Sequence, residues 1–190
     1  MIETVRWTEW DGSGLEHCVL DVGDDAVIVE SAVVGGRGGV PYGAHYRVRC
    51  DRDWRTREVR LAYAGSSFMH VETDGEGHWF DMRSGSAPIP ELEGCCDIDI
   101  GVTPFTNTLP IKRLGLAEGA SQKIRAAYVP LPSQIEGGEL LPRPADQRYT
   151  CLEADRRFRY EGLFRGFTAD LVVDDRGFVL DYPDTFRRAG

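Results

Sequence analysis

Lysine is almost missing from this chain. Of its 22 basic residues only Lys112 and Lys123 are lysine, and against 31 acids they leave a formal charge of −9. That balance excludes the clustered basic surface that neutralises nucleic-acid phosphates, and it disfavours an anionic membrane face. No stretch approaches the roughly 20 apolar residues of a membrane-crossing helix. The opening MIETVRWTEW has no basic segment followed by an apolar run, so no secretory signal is expected and a cytoplasmic location is. CxxC pairs are absent, and the five cysteines, Cys18, Cys50, Cys95, Cys96 and Cys151, fit reduced thiols better than a disulfide framework.

Local chemistry is equally sparse. Cys95 and Cys96 are adjacent, so on a strand they face opposite ways and cannot jointly chelate zinc. His17, His45, His70 and His78 stand in neither HExxH nor HxH spacing, so nothing local predicts a metal, and no cofactor is expected. There is no GxSxG elbow, and neither Ser66-Ser67 nor Ser133 has the neighbourhood of a triad, so no catalytic residue is assigned. GGRGG at Gly35 to Gly39 lacks the lysine of a phosphate-binding loop and reads as a hairpin turn.

What is present is a succession of strand patterns. Val5 to Trp10, Leu15 to Leu20 and Ala26 to Val34 are rich in β-branched and aromatic residues and are separated by turn residues. Tyr42 to Cys50 alternates, with Tyr42, Ala44, Tyr46, Val48 and Cys50 on one face, and Arg55 to Tyr63 places Val59, Leu61 and Tyr63 together. Ser67 to Thr73 and Gly77 to Met82 follow. Gln122 to Val129 and four later segments, Gln147 to Leu152, Arg157 to Leu163, Phe167 to Val173 and Phe178 to Tyr182, read the same way. Pro130 to Asp146 keeps no period but carries Ile135, Leu140 and Leu141, a lid or a loop packed on the core. The length suits one domain, residues 1–190, or a duplicated one.

The centre of the chain is GCCDIDIGVTPFTNTLPIKRL, Gly94 to Leu114. Asp97 and Asp99 share one face of a strand, and Ile98 and Ile100 the other. Thr103-Pro104 reads as a helix start. Pro110 removes an amide donor and crowds the Thr106 carbonyl, so the helix kinks or is two short pieces. Asn107, the only asparagine, stands just before that break.

This stretch, with DWRTR at Asp53 to Arg57, GxGxW at Gly75 to Trp79, QRYT at Gln147 to Thr150 and VLDYP at Val179 to Pro183, resembles a bacterial family described as putative glycolipid-binding. The resemblance covers most of the chain. It implies a mainly β fold, a spiral β-roll with a long antiparallel sheet wound round a single central α-helix, and a homodimer.

Three functions are open. One is non-catalytic binding of a glycolipid or other amphipathic molecule between sheet and helix. Its ligand-binding candidates are Trp54, Arg55, Arg57, Trp79, Asp97, Asp99, Asn107, Arg113, Tyr149 and Tyr182, with Tyr160 and Phe167 in the same aromatic set. A ten-carbon tail would contribute about 8 kcal/mol before association costs. The second is an enzyme using Asp97 and Asp99 with Asn107 and Arg113. The third is a structural homodimer or interaction module, in which Thr103 caps the helix, Asn107 and Thr108 bond backbone groups near Pro110, and the acids hold Arg113.

Overall fold

The computed structural model describes residues 2–65, 67–135 and 137–190. Alternating apolar residues build eight strands in the first half: β1 (Ile2–Glu9), β2 (Leu15–Val22), β3 (Val27–Gly35), β4 (Tyr42–Cys50), β5 (Thr56–Tyr63), β6 (Phe68–Thr73), β7 (Trp79–Asp81) and β8 (Ala87–Pro88). The central segment forms β9 (Asp97–Ile100), a 3-10 turn over Phe105–Asn107 and the helix α1 (Thr108–Leu114). Six strands complete the chain: β10 (Ser121–Val129), β11 (Arg143–Glu153), β12 (Arg157–Gly162), β13 (Phe167–Val173), β14 (Val179–Tyr182) and β15 (Phe186–Arg188).

Among the described residues, 15 strands join one sheet, in the order β8 to β1, then β15 down to β9. The chain therefore starts mid-sheet, pairs outward to the β8 edge, crosses to the β9 edge and pairs back until β15 meets β1. The sheet is not closed into a barrel. Every pairing is antiparallel except β9 with β10, which are parallel because the helical segment between them is a crossover. Side chains add bonds between strands that are not ladder neighbours. The Ile98 amide donates to Thr56 Oγ1 at 3.2 Å, and the Trp7 indole donates to the Val179 carbonyl at 2.7 Å.

The helical segment is the axis of this roll. Val102, Phe105 and Leu109 are buried among first-half strands, while Ile111 packs with Tyr149, Phe158, Leu171 and Val179 of the second half. The helical segment comes in two pieces, but the division is not at Pro110 as expected: the change from 3-10 to α-helix falls at Asn107–Thr108. Pro110 thus occupies the first turn of α1, where its missing amide would have been unpaired anyway. Gly115, in the left-handed conformation, ends the helix.

The Pro130 to Asp146 segment is shorter than its composition implies, since β11 already begins at Arg143. Leu131 and Leu140 are buried in the core and Ile135 and Leu141 pack against it, so the loop is packed down and is no lid. β15 pairs over only three residues with β1, too short for periodicity to reveal it.

The segment leading into β9 is also fastened at Gly77. A Cβ there would lie 2.7 Å from the Gly94 backbone, and its φ is +106°, while the Gly94 amide donates to the Gly77 carbonyl at 3.1 Å. Gly77→Ala should therefore cost about 2 kcal/mol in urea-induced unfolding through overpacking and strain. An unchanged midpoint would show that the two backbones can separate at no cost.

Candidate functional site

The residue types singled out in the sequence divide into three places. The first is an architectural knot. Asp51 Oδ2 accepts from Arg57 Nε at 2.9 Å and Nη2 at 2.7 Å, and a side chain at Gly75 would strike that guanidinium at 2.7 Å. Arg55 donates to the Gly75 carbonyl at 3.0 Å. Trp54 stands at a φ of +63°, and Trp79 is buried with its indole donating to the Cys95 carbonyl at 2.8 Å. DWRTR and GxGxW are thus two parts of one structural clasp.

The second is the ion pair of Asp97 and Arg113. Asp97 accepts from Arg113 Nε at 2.9 Å and Nη2 at 2.5 Å. Its side chain is 1% exposed and that of Arg113 14%. The carboxylate raises the Arg113 pKa further above its ordinary value. This pairing ties β9 to the end of α1.

The third place is a polar chamber at the start of the helical segment, and here the two aspartates part company. Asp99 faces the chamber together with Thr103, Asn107, Tyr128, Tyr160 and Tyr182. Two arginines that sequence reading did not select, Arg37 and Arg165, close it. Asp99 Oδ2 accepts from Gln147 at 2.7 Å and Oδ1 from Thr106 at 3.4 Å. Burial pushes its pKa up, opposed by Arg165, Gln147 and Arg37. Asn107 bonds the Pro104 carbonyl at 3.1 Å and accepts from the Tyr149 hydroxyl at 2.9 Å. It therefore spans the 3-10 turn and β11, and Tyr149 packs against Tyr160 with tilted rings whose centres are 5.4 Å apart. The neighbouring Thr108 bonds the Gly177 carbonyl at 2.9 Å, a contact with the β13–β14 turn rather than with the helix break.

Arg37 reaches the chamber because the GGRGG hairpin is itself anchored. Glu9 accepts from the amides of Gly36 and Arg37 at 3.1 Å each and from the Tyr42 hydroxyl at 2.7 Å. Burial alone would raise the Glu9 pKa, but these bonds and one from Ser13 bring it below the ordinary value. The Arg37 guanidinium then bonds the Gly101 carbonyl and lies 5.0 Å from the centre of the Phe186 ring. Arg165, on the β12–β13 turn, lies over Phe164 and Phe167 at 5.1 Å and 5.9 Å from Tyr128. Single arginines within GGRGG and LFRGF were the available signals, and neither has a local pattern that places it.

Two chamber groups lack partners: Arg37 Nε and the Tyr160 hydroxyl have no hydrogen bond among the described residues, although Arg165 faces the latter. The cavity measures about 20 Å³, room for one water-sized group. A ten-carbon tail does not fit in that volume.

The family described as "Putative glycolipid-binding" matches residues 4–188. The chain belongs to that family. This family member is similar to a crystal structure of a DUF1089-family protein from Pseudomonas aeruginosa, with 39% identity, a TM-score of 0.76, and 93% of this chain and 92% of that chain covered. No curated protein matches it.

The remaining motifs are absorbed by structure. All five cysteines are free, four of them buried. Ser66 lies outside the described residues. No helix among the described residues is long and apolar enough to cross a membrane.

Proposed function

We propose that the protein binds, without chemical change, an amphipathic molecule whose polar head inserts one oxygen-bearing group into the Asp99 chamber. The observation that carries this reading is the unpartnered Arg37 Nε. A buried donor without an acceptor costs about 1–3 kcal/mol, and a ligand oxygen would remove that cost. Asp99 would accept from a ligand hydroxyl, Arg37 and Arg165 would donate to ligand oxygens, and Asn107, Tyr149 and Tyr182 would hold the walls. The rest of the headgroup stays at the rim beside Phe164 and Arg165. In this proposal Trp54, Arg55, Arg57, Trp79, Asp97 and Arg113 support the fold without touching the ligand. An apolar trough of about 500 Å³ on the outer face, lined by Leu15, Ala32, Val34, Gly43, Ala62 and Ala64, offers a tail more room than the interior does. One continuous sheet supports a single-domain reading, and the family resemblance carries the homodimer, which sedimentation velocity would test.

Native mass spectrometry of the purified protein, then titration with octyl glucoside below its micelle concentration and with a lysophosphatidylglycerol, tests the site. Micromolar binding of at least one amphiphile is expected, weakened at least tenfold by Arg37→Ala and by Asp99→Asn. Absence of binding to both, or binding unchanged in both variants, would refute the proposal.

A second reading has one observation in its favour. The Asp99 carboxyl, pushed up by burial, faces a cavity, as a general acid does. Asp97 cannot share that role, because both its oxygens are bonded by Arg113. A mass change in bound ligand that disappears in Asp99→Asn would favour this reading.

A further inference from the structure

On the outer face of the sheet, three side chains with metal-binding atoms converge. Glu58 of β5 and Glu72 of β6 are direct antiparallel partners, and His70, two residues from Glu72, projects to the same side. His70 Nε2 lies 3.0 Å from Glu58 Oε1 and 3.7 Å from Glu72 Oε1. One ligand atom from each of the three falls within 4.8 Å of the others. Tetrahedral bonds of about 2.0–2.1 Å require ligand atoms roughly 3.3 Å apart, so small side-chain rotations would meet that geometry. All three residues are half-buried, which leaves a fourth position open to solvent. Two carboxylates placed directly opposite on adjacent strands repel each other, and a cation between them removes the repulsion.

We propose that Glu58, His70 and Glu72 bind one divalent transition ion of the Zn²⁺, Co²⁺ or Ni²⁺ class. The imidazole and the small ligand number favour these ions over Mg²⁺ and Ca²⁺, which take six or more oxygens. Two arginines compete for the site. Arg60 Nε donates to Glu58 Oε1 at 2.7 Å, and Arg47 Nη1 to Glu58 Oε2 at 3.3 Å. Their charges oppose the ion and hold affinity to the micromolar range. Arg60 is half exposed and free to swing outward, so its removal tightens binding. The pattern escaped sequence reading because its third ligand comes from the neighbouring strand, and His-x-Glu alone carries little information.

Titration of the chelator-treated full chain with Co²⁺, followed in the visible and near ultraviolet, tests the site. The expected result is one ion per chain, without the sulfur-to-cobalt charge-transfer band that binding at Cys96 would produce. His70→Ala and Glu72→Gln should each weaken uptake at least tenfold, and Arg60→Ala should strengthen it several-fold. Lack of uptake at millimolar Co²⁺, a thiolate band, or uptake that survives both ligand substitutions would overturn the assignment. Two ligand variants are used so that a folding defect in one, read by circular dichroism, does not decide the outcome.

Discussion

Asp97→Ala should lower the free energy of unfolding by about 3–5 kcal/mol, the loss that follows when one member of a buried ion pair is removed. The cause is less the lost attraction than the charge left behind. Arg113 would keep its guanidinium with 14% side-chain exposure and no carboxylate at 2.9 Å and 2.5 Å to accept from it. Replacing both partners, Asp97→Leu with Arg113→Met, should recover most of the stability, because no uncompensated charge remains. Urea denaturation of the two variants decides the matter. A single-variant loss below about 1 kcal/mol, the range of exposed pairs, would mean that water reaches Arg113.

Glu16→Gln should remove a stability loss of about 3 kcal/mol that the parent protein suffers between pH 4 and pH 8. Glu16 lies on β2 in phase with Cys18 and Leu20 and is 2% exposed. Its Oε1 accepts from Tyr46 at 2.6 Å, Ser31 at 2.8 Å and Thr103 at 3.0 Å, while Oε2 has no partner among the described residues. Burial pushes its pKa up from 4.5 to about 7, against the three hydroxyl bonds, which lower it. Between those values the folded chain holds a proton that the unfolded chain has released, so stability falls as pH rises. Each pH unit in that window costs about 1.4 kcal/mol. The contribution is complete below about pH 4.5 and lost above about pH 7. Because other groups also titrate, the informative quantity is the difference between parent and variant across pH. Parallel curves would show that the ionised carboxylate is solvated where it stands.

Thr103 links this acid to the signature. Its hydroxyl bonds Glu16 and also accepts from the Phe105 amide at 3.0 Å, which satisfies a free amide of the 3-10 turn from one residue before its cap position, Pro104. One threonine thus holds the start of the helical segment and the inner face of β2 together.

The strand-rich halves and their buried faces were legible in the chain itself. Alternation along Tyr42 to Cys50 and Arg55 to Tyr63 places Tyr46, Val48, Val59 and Leu61 inside, and they are buried. Period-2 burial is a local property that any half-buried strand must show. A helical segment starting just after Thr103-Pro104 and the pairing of an acid with Arg113 also followed from local chemistry, but the point of division did not, since it falls at Asn107–Thr108 and not at Pro110. The family resemblance supplied the β-roll.

Only the tertiary structure decided which acid does what. Asp97 and Asp99 share a face, yet Arg113 reaches one and Arg37, Gln147 and Arg165 surround the other, from positions 62, 48 and 66 residues from Asp99. The same holds for the split of the aromatic and arginine set between the Asp51–Arg57 clasp and the chamber, and for the convergence of Glu58, His70 and Glu72. Strand register and the winding of the sheet set these meetings, and both depend on pairings distant along the chain. A sequence pattern records which side of a strand a residue takes; what it meets there is fixed when the β8 and β9 edges are wound round α1.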